Sequence, residues 1–517
     1  MNNSAHSAKT IDEISSARSK ILVGDLEKFA HESSISFGSK IFGRGLQILS
    51  QVFIARLFGP AVFGLYSIGW TILRIAGDFA PLGLDNAVIR FIPRYRYTDP
   101  GALNGVLVRC LGISVLSGLI LGCSLYWSAP WLAIHVFGKP ELISVLRLFA
   151  IAFPAYAGLR AVSAATRATQ QMKYAAYTEE VAQPGLNLLF IFLFFILGWH
   201  LLGMVTAATL SFALAFLLGI GYLKRLFADA LRVPQSPGLS FWELISFSLP
   251  TSLAGLFAFL ILWMDRLMVG FYLPAQDVGI YQAVSQWVAL FAVILDAFAK
   301  MMAPMVSQFY QDGEHDRLHE LFRVCTKWTL YLCVPAFLIS CFAPDLLLTV
   351  IFGPEYEAGW LPLIILSVGQ LINAGTGAID VFLIQTGHQN RWLRILLVIF
   401  ILNAVLLSYL IPRFGITGAA TASSIAVIAL FAIGFNEVRR VLHLWPFDRR
   451  YLKILPPAVL SIVILIGIRH WDAFSPVMEL LLMIFAVAVV FSLSLFFMGL
   501  DPEDREILSS VRKMLHL

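Results

Sequence analysis

Charge is what this sequence has least of. Of 517 residues, 13% are Asp, Glu, Lys or Arg, while 59% are hydrophobic. A soluble domain carries roughly a quarter charged residues, so a water-soluble globular body is excluded. Cysteine is also scarce: Cys110, Cys123, Cys325, Cys333 and Cys341 all lie in apolar stretches without Cys-x-x-Cys spacing. They read as small core residues, not as metal ligands or a redox pair. There is no Gly-x-Ser-x-Gly elbow, no P-loop and no His-Glu-x-x-His helix, so the usual signatures of hydrolases, nucleotidases and metalloproteases are missing. His315 and His319 stand four apart with no further ligands near them. Nothing here points to an enzyme, a cofactor or a metal. The first 30 residues, polar and mixed in charge, lack the apolar core of a signal peptide and read as a cytoplasmic tail.

What the chain has in plenty is long apolar runs. Mean hydropathy is +0.79, and runs near 20 residues, each able to cross about 30 Å of hydrocarbon, recur from end to end. About fourteen spans are expected, near 34–57, 61–82, 104–128, 143–166, 175–198, 201–223, 242–264, 276–303, 323–346, 358–387, 392–411, 415–437, 452–469 and 475–499. The class is an all-α polytopic membrane protein. With the N-terminus in the cytoplasm, inner loops hold most of the basic residues, among them Arg90, Arg94, Lys173, Arg225, Arg394, Arg440 and Arg450. That asymmetry fits the positive-inside rule and puts both termini in the cytoplasm. The net charge of +5 thus reflects loops beside the membrane, not nucleic-acid binding.

The sequence also repeats itself. Gly64-Leu65-Tyr66 returns 215 residues later as Gly279-Ile280-Tyr281, and Phe137-Gly138 returns at the same offset as Phe352-Gly353. Gly203 and Gly418, each before a run of small residues, keep that offset, as do Arg225 and Arg440. An even number of spans in the repeated block means that both copies enter the membrane in one direction, a parallel duplication. The expected plan is a tail (1–30), a first six-helix lobe (31–225), a cytoplasmic linker (226–240), a second six-helix lobe (241–440), and a C-terminal helix pair with its tail (441–517).

The scarce polar groups are not scattered. Lys40, Arg44, Gln47 and Gln51 follow steps of four, three and four along the first span, and Ser67, Thr71, Arg74 and Asp78 repeat those steps along the second. At about 100° per residue each set makes a stripe on one helix face. A charge at mid-bilayer is costly and marks a functional site by default, so these stripes are expected to line a wet, cationic cavity. Arg160 on the fourth span joins the candidate binding set of Lys40, Arg44, Gln47, Gln51 and Arg74. Asp78, Glu180, Asp296 and Asp380 are candidates for charge balance or ion coupling. Plainer readings stay open. Arg167, Lys300, Asp296 and Asp380 can snorkel to headgroups, Asp265-Arg266 can be an interfacial pair, and Arg74 and Asp78 can only neutralise each other. Pro154, Pro184, Pro250 and Pro335 interrupt spans, either as hinges or as tolerated kinks.

The stretch Arg56-Leu57-Phe58-Gly59-Pro60-Ala61-Val62-Phe63-Gly64-Leu65-Tyr66, followed by Gly83-Leu84-Asp85 and Arg90-Phe91, resembles the opening hairpin of polysaccharide-repeat flippases. These are the O-antigen and exopolysaccharide transporters of the multidrug/oligosaccharidyl-lipid/polysaccharide (MOP) superfamily, which includes the MATE exporters. The resemblance covers roughly Ser34 to Gly499. It implies alternating-access movement of an oligosaccharide on a polyprenyl diphosphate carrier across the bacterial plasma membrane, alongside polysaccharide assembly proteins and membrane lipids. It also implies a first-lobe cavity suited to the diphosphate, at Arg44, Arg74 and Lys40. Moving about two negative charges outward down a 100 mV inside-negative potential releases about 4–5 kcal/mol. Two other classes remain: a cation-coupled multidrug exporter, favoured by acidic rather than basic groups in the first lobe, and a membrane-embedded glycan polymerase or ligase, which calls for a large charged outer loop.

Overall fold

A computed structural model describes residues 2–96, 98–169, 171–236, 241–471 and 474–497. Among them there is helix and no strand, which suits a lipid-facing chain, because a helix satisfies its own backbone hydrogen bonds without water. The long helix α1 (Asn2–Phe79) breaks at Gly59, whose φ of 74° and ψ of 173° belong to no helix. There follow α2 (Leu84–Tyr95), α3 (Pro100–Trp131), α4 (Leu142–Arg167), α5 (Met172–Ile196) and α6 (Leu201–Leu226). Next come α7 (Phe241–Tyr272), α8 (Ala275–Gln311), α9 (His315–Phe342), the short α10 (Pro344–Ile351), α11 (Trp360–Thr376) and α12 (Ile379–Gln385). The chain continues with α13 (Gln389–Leu442), broken at Gly415, then α14 (Leu455–His470) and α15 (Pro476–Phe497).

Eleven helical stretches among the described residues are long and apolar enough to cross a membrane. Two of these are each a pair of spans joined at a glycine break, at Gly59 and at Gly415. Counting both halves of those two and the 32-residue α7, the described residues hold fourteen helical stretches of spanning length. The tight turn expected at Phe58-Gly59-Pro60 is a true break. One expected span, 358–387, is different: α11 stops before Gly377 (φ 74°) and α12 starts afresh at Ile379. The C-terminal tail after residue 497, with Arg505, Arg512 and Lys513, and the linker residues Pro237 and Gly238 lie outside the described residues.

The chain forms two compact units: Met1–Gln51 with Ile72–Ala133 and Pro140–Leu256, and Val52–Thr71 with Ile134–Lys139 and Phe257–Leu517. In the first, α2 lays an apolar face (Leu84, Ala87, Val88, Phe91, Ile92) on Leu103, Val106 and Leu107 of α3 and on Val162 and Ala165 of α4. Its other face carries Arg90 and Arg94, both exposed. In the second, Met302 and Val306 of α8 pack with Phe322 of α9, Phe382 of α12 and Trp392 of α13. Large apolar side chains such as Trp127, Val463 and Phe485 remain more than 60% exposed. That suits a surface whose solvent is lipid.

The second unit takes two pieces from early in the chain because of a backbone crossing. A Cβ on Gly64 would stand 1.8 Å from the Ala275 carbonyl oxygen, and a Cβ on Gly279 would stand 1.9 Å from that of Pro60. Both pairs keep the 215-residue spacing crosswise, so the repeated glycines meet reciprocally, as a two-fold relation requires. Only glycine allows helix backbones this close.

Candidate functional site

The second half of α1 carries Arg74 and Asp78, one turn apart, with 3.9 Å between guanidinium and carboxylate. After Phe79 the chain reverses through a hydrogen-bonded turn in which Leu82 N–H donates to Phe79 O and Leu84 N–H to Pro81 O. That turn brings Asp85, on the first turn of α2, back beside Asp78. From α4 come Tyr156 and Arg160, again one turn apart, and Arg167 at its end. Arg160 is the hub: it lies 3.3 Å from Asp85, 3.7 Å from Glu179 and 4.0 Å from Asp78. Tyr156 donates to Asp78 across 2.6 Å, and its ring sits 5.9 Å from the Arg74 guanidinium. It packs edge-on against Phe212 of α6 at 5.0 Å. Arg167 closes the network on Glu179 at 2.7 Å.

Glu179 reaches this network because α5 is not regular. Residues Ala176–Ala182 form a π-helical turn, whose wider winding changes which residues share a face; such bulges recur at functional sites. Adjacent glutamates therefore part company. Glu179 turns to Arg160 and Arg167, while Glu180 lies within electrostatic range of Lys40 and Arg44. The first half of α1 packs there very closely: a Cβ on Gly43 would stand 1.9 Å from the Glu180 carbonyl oxygen. Along that stripe, Lys40 and Arg44 are exposed, Arg44 donates to Gln47 at 3.2 Å, and Gln51 is buried.

The structure thus gathers Arg74, Arg160 and Asp78 into one network and sets Lys40, Arg44 and Glu180 around the Gly43 contact. It joins Arg167, which shares a face of its span with Arg160, to that network, and adds three residues that helical stepping did not single out: Asp85, Tyr156 and Glu179. Asp85 was hidden because a turn separates it from the Asp78 stripe, and Glu179 because regular stepping favours its neighbour. Tyr156 had a signal, its spacing of four from Arg160. The network's three arginines face three carboxylates, so it is charge-balanced within itself; Lys40 and Arg44 outnumber Glu180 beside it. The six charged side chains each keep 16–34% of their surface accessible. A bare charge is not tolerated in hydrocarbon, and here each of the six has an opposite charge within 4.0 Å.

The other candidates sit in the second unit with local partners. Asp296 pairs with Lys300, four residues on and largely exposed. Asp380 falls on α12, beyond the Gly377 break. Asp265 is 8% exposed, accepting from the Tyr281 hydroxyl at 2.8 Å and from Arg266 at 3.2 Å. Arg266 also donates to Gln282 at 3.1 Å and stacks on Trp263 at 4.5 Å. His319 bonds the Trp445 backbone, 2.6 Å from its carbonyl oxygen.

Comparison with known proteins agrees along most of the chain. A family model described as "Polysaccharide biosynthesis protein" matches residues 29–310, and one described as "MatE" matches 250–410. The chain is 24% identical over 406 residues to the "Probable low-salt glycan biosynthesis flippase Agl15" of Haloferax volcanii, covering 77% of this chain and 80% of that one. It is 22% identical over 409 residues to the "Putative O-antigen transporter" of Shigella flexneri, covering 75% and 93%. Among solved structures, the lipid II flippase MurJ in an inward closed conformation superposes with a TM-score of 0.71 at 16% identity, over 89% of this chain and 98% of that one. An inward-facing MATE transporter of the MOP superfamily gives 0.65 at 18% identity, over 77% and 94%. These likenesses establish the fold.

Proposed function

This chain belongs to the polysaccharide biosynthesis protein family of the MOP transporter superfamily, and from that premise we propose that its cargo is a glycan carried on a lipid diphosphate, moved between leaflets by alternating access. The proposed setting is the bacterial plasma membrane, with both termini in the cytoplasm, as the loop charges favour. The observation that carries the reading is Arg160, held among three carboxylates beside Arg74 on an accessible surface within a membrane-spanning bundle.

A guanidinium fork matches phosphate oxygens as well as it matches carboxylates. In the unloaded protein Asp78, Asp85 and Glu179 hold Arg74 and Arg160 in place and spare them a bare charge in a poor dielectric. A diphosphate arriving on the wet surface takes over those donors, and the freed carboxylates turn to water or to a cation. Lys40 and Arg44, weakly opposed by Glu180, draw the anion in. Two negative charges moving outward then gain about 4–5 kcal/mol from a 100 mV potential.

The test is glycan export in cells carrying Arg74→Ala or Arg44→Ala. Both should stop export while the protein stays in the membrane; full export from both would remove the diphosphate argument. A second reading has specific support. The acidic set Asp78, Asp85 and Glu179 in the first unit and the match to the "MatE" model both suit a cation-coupled exporter of small molecules. Resistance to cationic drugs on expression, without any effect on surface glycan, would favour it.

A further inference from the structure

In the second unit, each repeat's Phe-Gly turn docks on the helix that opens the other repeat. Phe137-Gly138 lies against α7: Lys139, 8% exposed, donates to the Gly270 carbonyl at 2.7 Å and to the Phe137 carbonyl at 3.0 Å. Phe352-Gly353 lies against α1: Arg56 donates through Nε to the Ile351 carbonyl at 2.9 Å and through a second nitrogen to that of Val350. Tyr356, 1% exposed, donates to the Ala55 carbonyl at 3.1 Å. In each case a cation caps carbonyls of a helix's last turn, which have no partner in their own helix.

The two cations are not repeat equivalents. Lys139 sits on a Phe-Gly turn and reaches a helix end, whereas Arg56 sits on a helix end and reaches the helix before a Phe-Gly turn. Two unrelated side chains thus close the same pseudo-symmetric junction. Near these caps lies the Gly64–Gly279 crossing, the closest backbone approach at any described glycine of this unit. Such caps fasten any helix end, but a charge-assisted bond to a carbonyl is also readily exchanged for water, so two of them at one end make a junction that is firm when shut and can still be opened.

We propose that Arg56 and Lys139 are positioning residues for transport, paired latches that keep the end of the bundle at the Gly64–Gly279 crossing closed and release it once per cycle. The proposal rests on the alternating-access reading above, and the proposed orientation places this end outside. Either repeat's opening helix is then freed only when both caps let go, which ties the two halves of the junction into one event.

The experiment reads access rather than export, so it can fail separately from the glycan reading. Ser67, 3% exposed, follows Gly64 by one turn. In intact cells making the full chain with Ser67→Cys, a membrane-impermeant maleimide should label slowly, measured against the chain without the added cysteine. Adding Arg56→Ala and Lys139→Ala should speed labelling at least about tenfold, the equivalent of one charge-assisted hydrogen bond. Lys139→Met alone, which keeps the apolar stem, should give part of that increase and serves if the double variant fails to reach the membrane. Ser461→Cys, fully buried on α14, should stay slow in every background. Unchanged labelling at Ser67→Cys, or equal acceleration at Ser461→Cys, would overturn the proposal.

Discussion

The two units treat charge differently. In the first, Arg160 is shared by carboxylates from α1, α2 and α5, and no pair accounts for the arrangement alone. In the second, no side chain gathers three opposite charges among the described residues: Asp296 pairs with Lys300 one turn on and Arg317 with Glu314 three residues back, while Arg391 with Glu437, Arg450 with Glu320 and Asp448, and Arg469 with Asp345 and Glu479 join more distant segments. A local pair on an exposed helix face forms wherever its helix forms and is worth about 0–1 kcal/mol. A hub drawn from helices distant in sequence needs each of those helices placed, and it leaves every partner under-served. That makes it able to exchange ligands, which a transport site must do.

The sharpest way to break this comparison is at the hub. Arg160→Ala leaves Asp85 without its arginine, loosens Asp78 and Glu179 and removes a guanidinium fork, so export should fall about ten- to hundredfold, matching the about 1.5–3 kcal/mol of a charged hydrogen bond. The check is surface glycan per unit of membrane protein; near-normal export would make the hub structural ornament. Next comes the seam between α1 and α5. Gly43→Ala puts a methyl at 1.9 Å from the Glu180 carbonyl, which forces the helices apart and should cost about 1–3 kcal/mol, seen as a lower melting temperature in detergent together with reduced export. Smallest is Asp296→Asn, which breaks an exposed local pair worth about 0–1 kcal/mol. Export and melting temperature should stay close to the parent. A large loss there would place function in a locally paired charge and undo the distinction.

Much of this was legible beforehand. The Arg74–Asp78 spacing announced a pair and the structure contains it. Arg160 was visible as a charge no apolar span would carry without cause. The split at Phe58-Gly59-Pro60 was visible because only glycine takes the left-handed geometry there at no steric cost. The expected single span over 358–387 overlooked Gly377, which breaks the helix and leaves Asp380 on the short helix after it. Asp265-Arg266, read as a plain pair, belongs to a partly buried network with Tyr281, Gln282 and Trp263. The partner residues lie 16 positions away, across a helix hairpin that no stepping rule spans.

By itself the sequence determined the class, the number of crossings, the duplication and the family, because these follow from hydropathy, period and repeated motifs, which are properties of the chain in one dimension. Which glutamate faces inward, which aspartate joins the hub, and how each repeat's Phe-Gly turn meets the other repeat were decided only by tertiary structure. A π-helical turn, a reversal after Phe79 and a glycine crossing each rotate or relocate side chains by an amount that depends on what packs against them. That information exists only once distant segments are in contact.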